Sequence, residues 1–119
     1  MPGITTHILD LMHGQPAENV TIELYYSESS TADWQLLHSA VTNTDGRLDA
    51  PLLNAENTKM GNYEIIFHIG DYFRNKSIEL PDPPFLDQVP VRFGLSSPSS
   101  HYHVPLLVSP WGYQVYRGS

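Results

Sequence analysis

Four side chains in this 119-residue sequence have types and spacings suited to chemistry near neutral pH: His7, Arg47, and the pair His101 and His103. An imidazole titrates near neutral pH, so each histidine can take or give a proton. His7 can equally be an ordinary surface or core histidine, since histidine occupies both settings. His101 and His103 are two residues apart in an apolar-rich, extended run, and strand period two puts them on one face. That spacing could place both on one metal ion, but a third ligand would have to come from elsewhere. Arg47 follows a turn glycine. It is either a solvated strand residue or a fixed fork of donors for a planar, anionic, carbonyl-rich ring, a task a lysine point charge performs less well. The chain then stops on Tyr116-Arg117-Gly118-Ser119, which offers a hydroxyl, a guanidinium and a carboxylate at one place. A nucleophilic serine sits on a sharp strand-to-helix elbow beside a base. Ser119 is not in such a context, so it is read as orienting substrate or water.

Composition narrows the classes. There is no cysteine, which excludes disulfides, thiolate metal sites and a cysteine nucleophile. Formal charge is −7, with only six Lys and Arg. That argues against a nucleic-acid partner and means that any anion site must be made locally. Two of the six cations, Arg47 and Arg117, stand in the motifs above. No run approaches the ~20 apolar residues of a membrane helix, so no membrane partner is expected. The opening Met1-Pro2-Gly3-Ile4 has no basic patch and no apolar stretch of the signal-peptide kind. The expectation is cytoplasmic, with the periplasm left open if a signal peptide was removed. Glycine-rich phosphate loops, Gly-x-Ser-x-Gly and His-Glu-x-x-His are all missing.

These residues need a scaffold of strands. Residues 4–10 alternate, with Ile4, Thr6 and Ile8 on one face and Thr5, His7 and Leu9 on the other. Residues 20–26, 34–42, 47–53, 62–69, 90–95, 101–108 and 112–117 supply the other strands, the last read as running to the chain end. Residues 43–46 form a tight turn with Gly46 supplying positive φ. Residues 71–76 fit one or two helical turns. Eight short strands at near-regular spacing predict an all-β, antiparallel two-sheet sandwich over 1–119, a single domain. His13, His38 and His68 are read as structural.

The run His-Tyr-His-Val-Pro-Leu-Leu-Val-Ser-Pro, the terminal Tyr-Arg-Gly-Ser, the opening Ile-Thr-Thr-His-Ile-Leu-Asp and the central Asp-Gly-Arg-Leu together resemble the 5-hydroxyisourate hydrolase family, transthyretin-related enzymes of urate breakdown. The resemblance implies a transthyretin-like fold with one short helix after the fifth strand. It implies hydrolysis of the cyclic amide of 5-hydroxyisourate in purine catabolism, with 2-oxo-4-hydroxy-4-carboxy-5-ureidoimidazoline as product. It assigns catalysis to His7, Arg47, His103 and Ser119, and substrate binding to His7, Arg47, Tyr116, Arg117 and Gly118, with no metal and no cofactor. His101 is left structural or supporting. The family forms a homotetramer, a dimer of dimers, with its sites in the channel between dimers. Two rivals stand beside it. One is a transthyretin-like carrier of an aromatic ligand, although such carriers have lost the residues this chain keeps. The other is a β-sandwich interaction module holding at most a metal.

Overall fold

The computed structural model describes residues 3–29, 31 and 33–118. The strands are β1 (Gly3–Asp10), β2 (Gln15–Pro16), β3 (Thr21–Ser27), β4 (Gln35–Val41), β5 (Leu53–Asn54), β6 (Gly61–His68), β7 (Gln88–Leu95), β8 (His101–Ser109) and β9 (Gly112–Val115). A short helix, α1 (Ile69–Asn75), follows β6 directly. One sheet has the order β2-β1-β8-β9, with β5 also on β1, and the other the order β4-β3-β6-β7.

Period-two alternation builds the core between the sheets. Ile4 and Ile8 of β1 and Tyr102, Val104, Leu106 and Val108 of β8 point inward. They meet Ile22 and Leu24 of β3, and Tyr63, Ile65 and Phe67 of β6. The residues between them are thereby turned outward. On the first sheet those are Thr5 and His7 of β1, and His101 and His103 of β8.

The two-sheet, mostly antiparallel sandwich with one short helix is as expected, and the structure departs from the sequence reading in three details. The central β1–β8 ladder is parallel, while the other ladders are antiparallel. Parallel neighbours need a long connection, and here the chain between β1 and β8 supplies it. Residues 47–52 form no strand; only Leu53 and Asn54 pair, at the Gly3–Ile4 end of β1. Pro51 cannot donate to a ladder, and the segment is tied instead by single bonds such as Leu52 N–H to the Ile4 carbonyl at 2.8 Å. Finally, β9 ends at Val115 rather than running to the chain end. The next partner on β8 in that register is Pro105, which has no N–H, so the ladder breaks there. It resumes once in the same register, where Gly118 pairs with His103.

Candidate active site

Because β1 and β8 run parallel with Thr5 opposite His103, three outward side chains meet. Thr5 Oγ1 lies 2.8 Å from His103 Nδ1 and 3.1 Å from His101 Nε2. The two imidazoles are nearly parallel, at an interplanar angle of 14° with centroids 6.4 Å apart. His7 is the next outward residue of β1, opposite Pro105. All three histidines are half-buried.

Arg47 reaches this face from a loop that its own sequence stiffens. The Asn43 Oδ1 accepts the backbone N–H groups of Asp45 and Arg47, at 2.9 and 3.2 Å. Its Nδ2 donates to Asp49 Oδ1 at 2.9 Å. The loop then docks on β1 through Ile8 N–H to the Gly46 carbonyl at 2.8 Å. Gly46 has φ +72°, and a Cβ there would stand 2.4 Å from the Ile8 carbonyl oxygen. Glycine is therefore required twice over, for the dihedral and for the approach. The docking point adjoins His7, so the guanidinium and the imidazoles are drawn to one place.

Arg47, Thr5, His101, His103 and the 48–51 segment line a cleft of about 320 Å³. His7 stands just beyond that lining but shares its field. Burial and then the Arg47 charge hold the His7 pKa below the ordinary imidazole value, against the opposing Asp45 carbonyl and carboxylate. Burial, Arg47, His101 and His7, in that order, do the same to His103, against the Thr5 carbonyl. Both rings are therefore neutral at neutral pH and able to accept a proton. The guanidinium supplies positive charge beside them, suited to an oxyanion.

The terminal motif divides. Gly118 packs on the catalytic candidate itself: its N–H bonds to the His103 carbonyl at 2.7 Å, and a Cβ on it would stand 2.8 Å from His103 Cδ2. Tyr116 and Arg117 turn away into a second cleft of about 250 Å³, beside Phe93, Tyr102 and Val104. The Arg117 guanidinium carbon lies 4.0 Å above the Tyr102 ring, and Nη2 donates to the His101 carbonyl at 3.3 Å. Within one chain, then, the structure brings His7, Arg47, His103 and Gly118 together and does not bring Tyr116 and Arg117 to the same cleft. Ser119 lies outside the described residues.

Thr5 and Asn43 were not singled out from the sequence. Thr5 shares the outward face of His7, and Asn43 opens the Asn-Thr-Asp-Gly turn; those were the available signals. The remaining histidines are elsewhere. His13 Nδ1 meets the buried Asp10 carboxylate at 2.6 Å, which also accepts from Tyr72 Oη at 2.6 Å. His68 Nε2 meets Glu23 at 2.8 Å. Among the described residues, no three His, Asp or Glu side chains are grouped to hold a metal.

Comparison with known proteins finds relatives of the whole chain. The profile described as the HIUase/Transthyretin family matches residues 4–118. The chain is 50% identical over 116 residues to 5-hydroxyisourate hydrolase 2 of Rhizobium meliloti (strain 1021), covering 98% of this chain and 95% of that protein. Among solved structures, it is similar to (S)-allantoin synthase with a TM-score of 0.90 and 43% identity. That match covers 98% of this chain but spans only 43% of the synthase. It is also similar to sea bream transthyretin in complex with thyroxine, with a TM-score of 0.84, 25% identity, and coverage of 97% and 93%.

Proposed function

The chain belongs to the HIUase/Transthyretin family, and on that premise we propose that it hydrolyses 5-hydroxyisourate to 2-oxo-4-hydroxy-4-carboxy-5-ureidoimidazoline. The observation that carries the proposal is local: two neutral imidazoles and a guanidinium, drawn from β1, β8 and the 43–47 loop, converge on one face of one sheet. The much higher identity to a hydrolase than to the transthyretin in complex with thyroxine favours chemistry over carriage.

The reaction adds water across an amide bond of the ring. Water oxygen bonds to the carbonyl carbon as an imidazole takes one of its protons. The tetrahedral oxyanion develops beside Arg47. The carbon–nitrogen bond then breaks, the captured proton goes to the departing nitrogen, and the new carboxyl group ionises. His7 and His103 share these transfers, each worth ~10²–10⁴ in rate for a well-placed acid or base. Arg47 orients the carbonyl-rich ring as well as offsetting charge. Gly118 is bonded through its N–H to the His103 carbonyl and leaves no room for a side chain beside the ring. The chemistry calls for no metal or organic cofactor.

A cleft open on a sheet face excludes water poorly. The same reading therefore includes a homotetramer, a dimer of dimers, in which a second face closes the cleft. The exposed Trp111, Met12 and Leu11 are consistent with a covered surface. Assembly is also the setting in which Tyr116, Arg117 and Ser119 would meet substrate.

The test is product identification. 5-Hydroxyisourate is generated in situ from labelled urate and followed by carbon-13 NMR with catalytic amounts of protein. Many equivalents of ring-opened carboxylate per chain support hydrolysis. A stoichiometric complex with unchanged ring signals would instead indicate a carrier.

A further inference from the structure

The Thr5 hydroxyl owns one proton and stands within hydrogen-bond distance of two ring nitrogens, His103 Nδ1 at 2.8 Å and His101 Nε2 at 3.1 Å. The single hydroxyl proton can go to only one of them. When that proton is used between the rings, one imidazole donates to the oxygen and the other accepts from it, so the three groups form a chain with a direction. The direction decides what His103 can do. If Thr5 donates to His103 Nδ1, the ring carries its proton on Nε2 and has no lone pair left for water. If His103 donates to Thr5, Nε2 is bare and basic. We propose that Thr5 is a positioning residue whose hydroxyl accepts the Nδ1 proton of His103 and passes its own to His101 Nε2, leaving His103 Nε2 as the base.

Two observations favour that direction. Nδ1 of His103 is held by Thr5 at 2.8 Å, so Nε2 is the nitrogen left for water, and it is basic when Nδ1 carries the proton. His101, two residues back on the same face, provides the sink for the hydroxyl proton, with its ring nearly parallel to that of His103. The tautomer of an imidazole is set by the bond its other nitrogen makes. The neighbouring Thr6 supplies the contrast: its hydroxyl is buried in the core side of β1 and donates to the Val104 carbonyl at 2.7 Å. Only the outward hydroxyl of the two is free to address the histidines. His101 thereby gains a function, as the far end of the relay.

The inference rests on the hydrolase reading for its kinetic consequence but not for its structural one. The experiment uses full-length protein labelled with nitrogen-15 in histidine, at a pH above the ordinary imidazole range, as wild type, Thr5→Val and Thr5→Ser. Long-range proton–nitrogen correlation reads the protonated nitrogen of His103. The wild type is expected to hold the proton on Nδ1, Thr5→Val to lose that preference, and Thr5→Ser to restore it. In parallel, kcat on 5-hydroxyisourate should fall at least ~10-fold in Thr5→Val with KM little changed, and recover in Thr5→Ser. A wild-type His103 protonated on Nε2 would overturn the proposal, and so would a Thr5→Val protein that keeps both the Nδ1 proton and its kcat. If Thr5→Val fails to fold, the wild-type and Thr5→Ser spectra still decide the tautomer. A wild type that consumes no 5-hydroxyisourate would sink the functional reading and leave the ring spectra to speak for the relay alone.

Discussion

Gly118→Ala isolates the role of the chain end with a single methyl group. Gly118 is bonded through its N–H to the His103 carbonyl, and its Cα faces the edge of the same residue's ring. An alanine Cβ would stand 2.8 Å from His103 Cδ2 and 3.3 Å from Pro105 Cγ. Ordinary contact begins at 3.4 Å, so the difference between 2.8 and 3.4 Å, about 0.6 Å, must come from movement of the ring or of the terminus. Pro105 is a stiff neighbour on the second side, so the imidazole gives way. A misplacement of ~1 Å at a reacting centre costs ~100-fold. Roughly half that displacement predicts a loss of about 10-fold in kcat, with KM much less affected. Folding should be nearly untouched, because Gly118 makes one isolated bridge and no core contact. Gly112→Ala is the control. It sits at the start of β9, where an added Cβ meets nothing within 4 Å. The assay is ultraviolet decay of 5-hydroxyisourate made in situ, with melting temperatures measured alongside. If Gly118→Ala melts like wild type and turns over at the wild-type rate, the contact between the terminus and His103 has no bearing on catalysis.

His7→Ala, Arg47→Ala and His103→Ala should each lower turnover at least ~100-fold at unchanged melting temperature, whereas His38→Ala should leave turnover alone. Since the His7 and His103 pKa values are both lowered from 6.5, kcat/KM should stay flat down to about that pH and fall only below it. Arg47→Gln removes a positive neighbour from both rings, so the acid limb of its residual activity should move up; a limb that stays put would show that Arg47 does not act on the imidazoles. Deleting residues 116–119 should abolish turnover at modest cost to folding, which light scattering and melting separate from activity. Exhaustive chelation should leave activity intact; a loss that zinc restores would require a metal role.

Much of the scaffold was legible because it follows from alternation. Ile4, Thr6 and Ile8 had to face one way and Thr5 and His7 the other, and the same held for Tyr102 and Val104 against His101 and His103. The tight turn at Gly46 was legible from its composition. Hidden from any local pattern was that the first strand lies parallel to the eighth, since that pairing joins residues about 98 positions apart. The Thr5 link between the two histidines depends on that register and was invisible for the same reason. Residues 47–52 read as a strand because their apolar spacing is strand-like, yet Pro51 and the bonds to β1 hold them as an irregular edge. The terminal strand was legible in its start but not in its extent, because the residue that breaks the ladder, Pro105, is on the neighbouring strand. The side-chain direction of Arg117 was equally out of reach, being set by the Tyr102 ring.

The central claim is that this sheet face performs catalysis, and the most direct measurement is the first-order decay of 5-hydroxyisourate at increasing protein concentrations, all far below that of the substrate. The account predicts a decay constant that rises linearly with wild-type protein and returns to the spontaneous value with His103→Ala. A decay indistinguishable from the protein-free reaction, or one that His103→Ala accelerates as well as wild type, would contradict it.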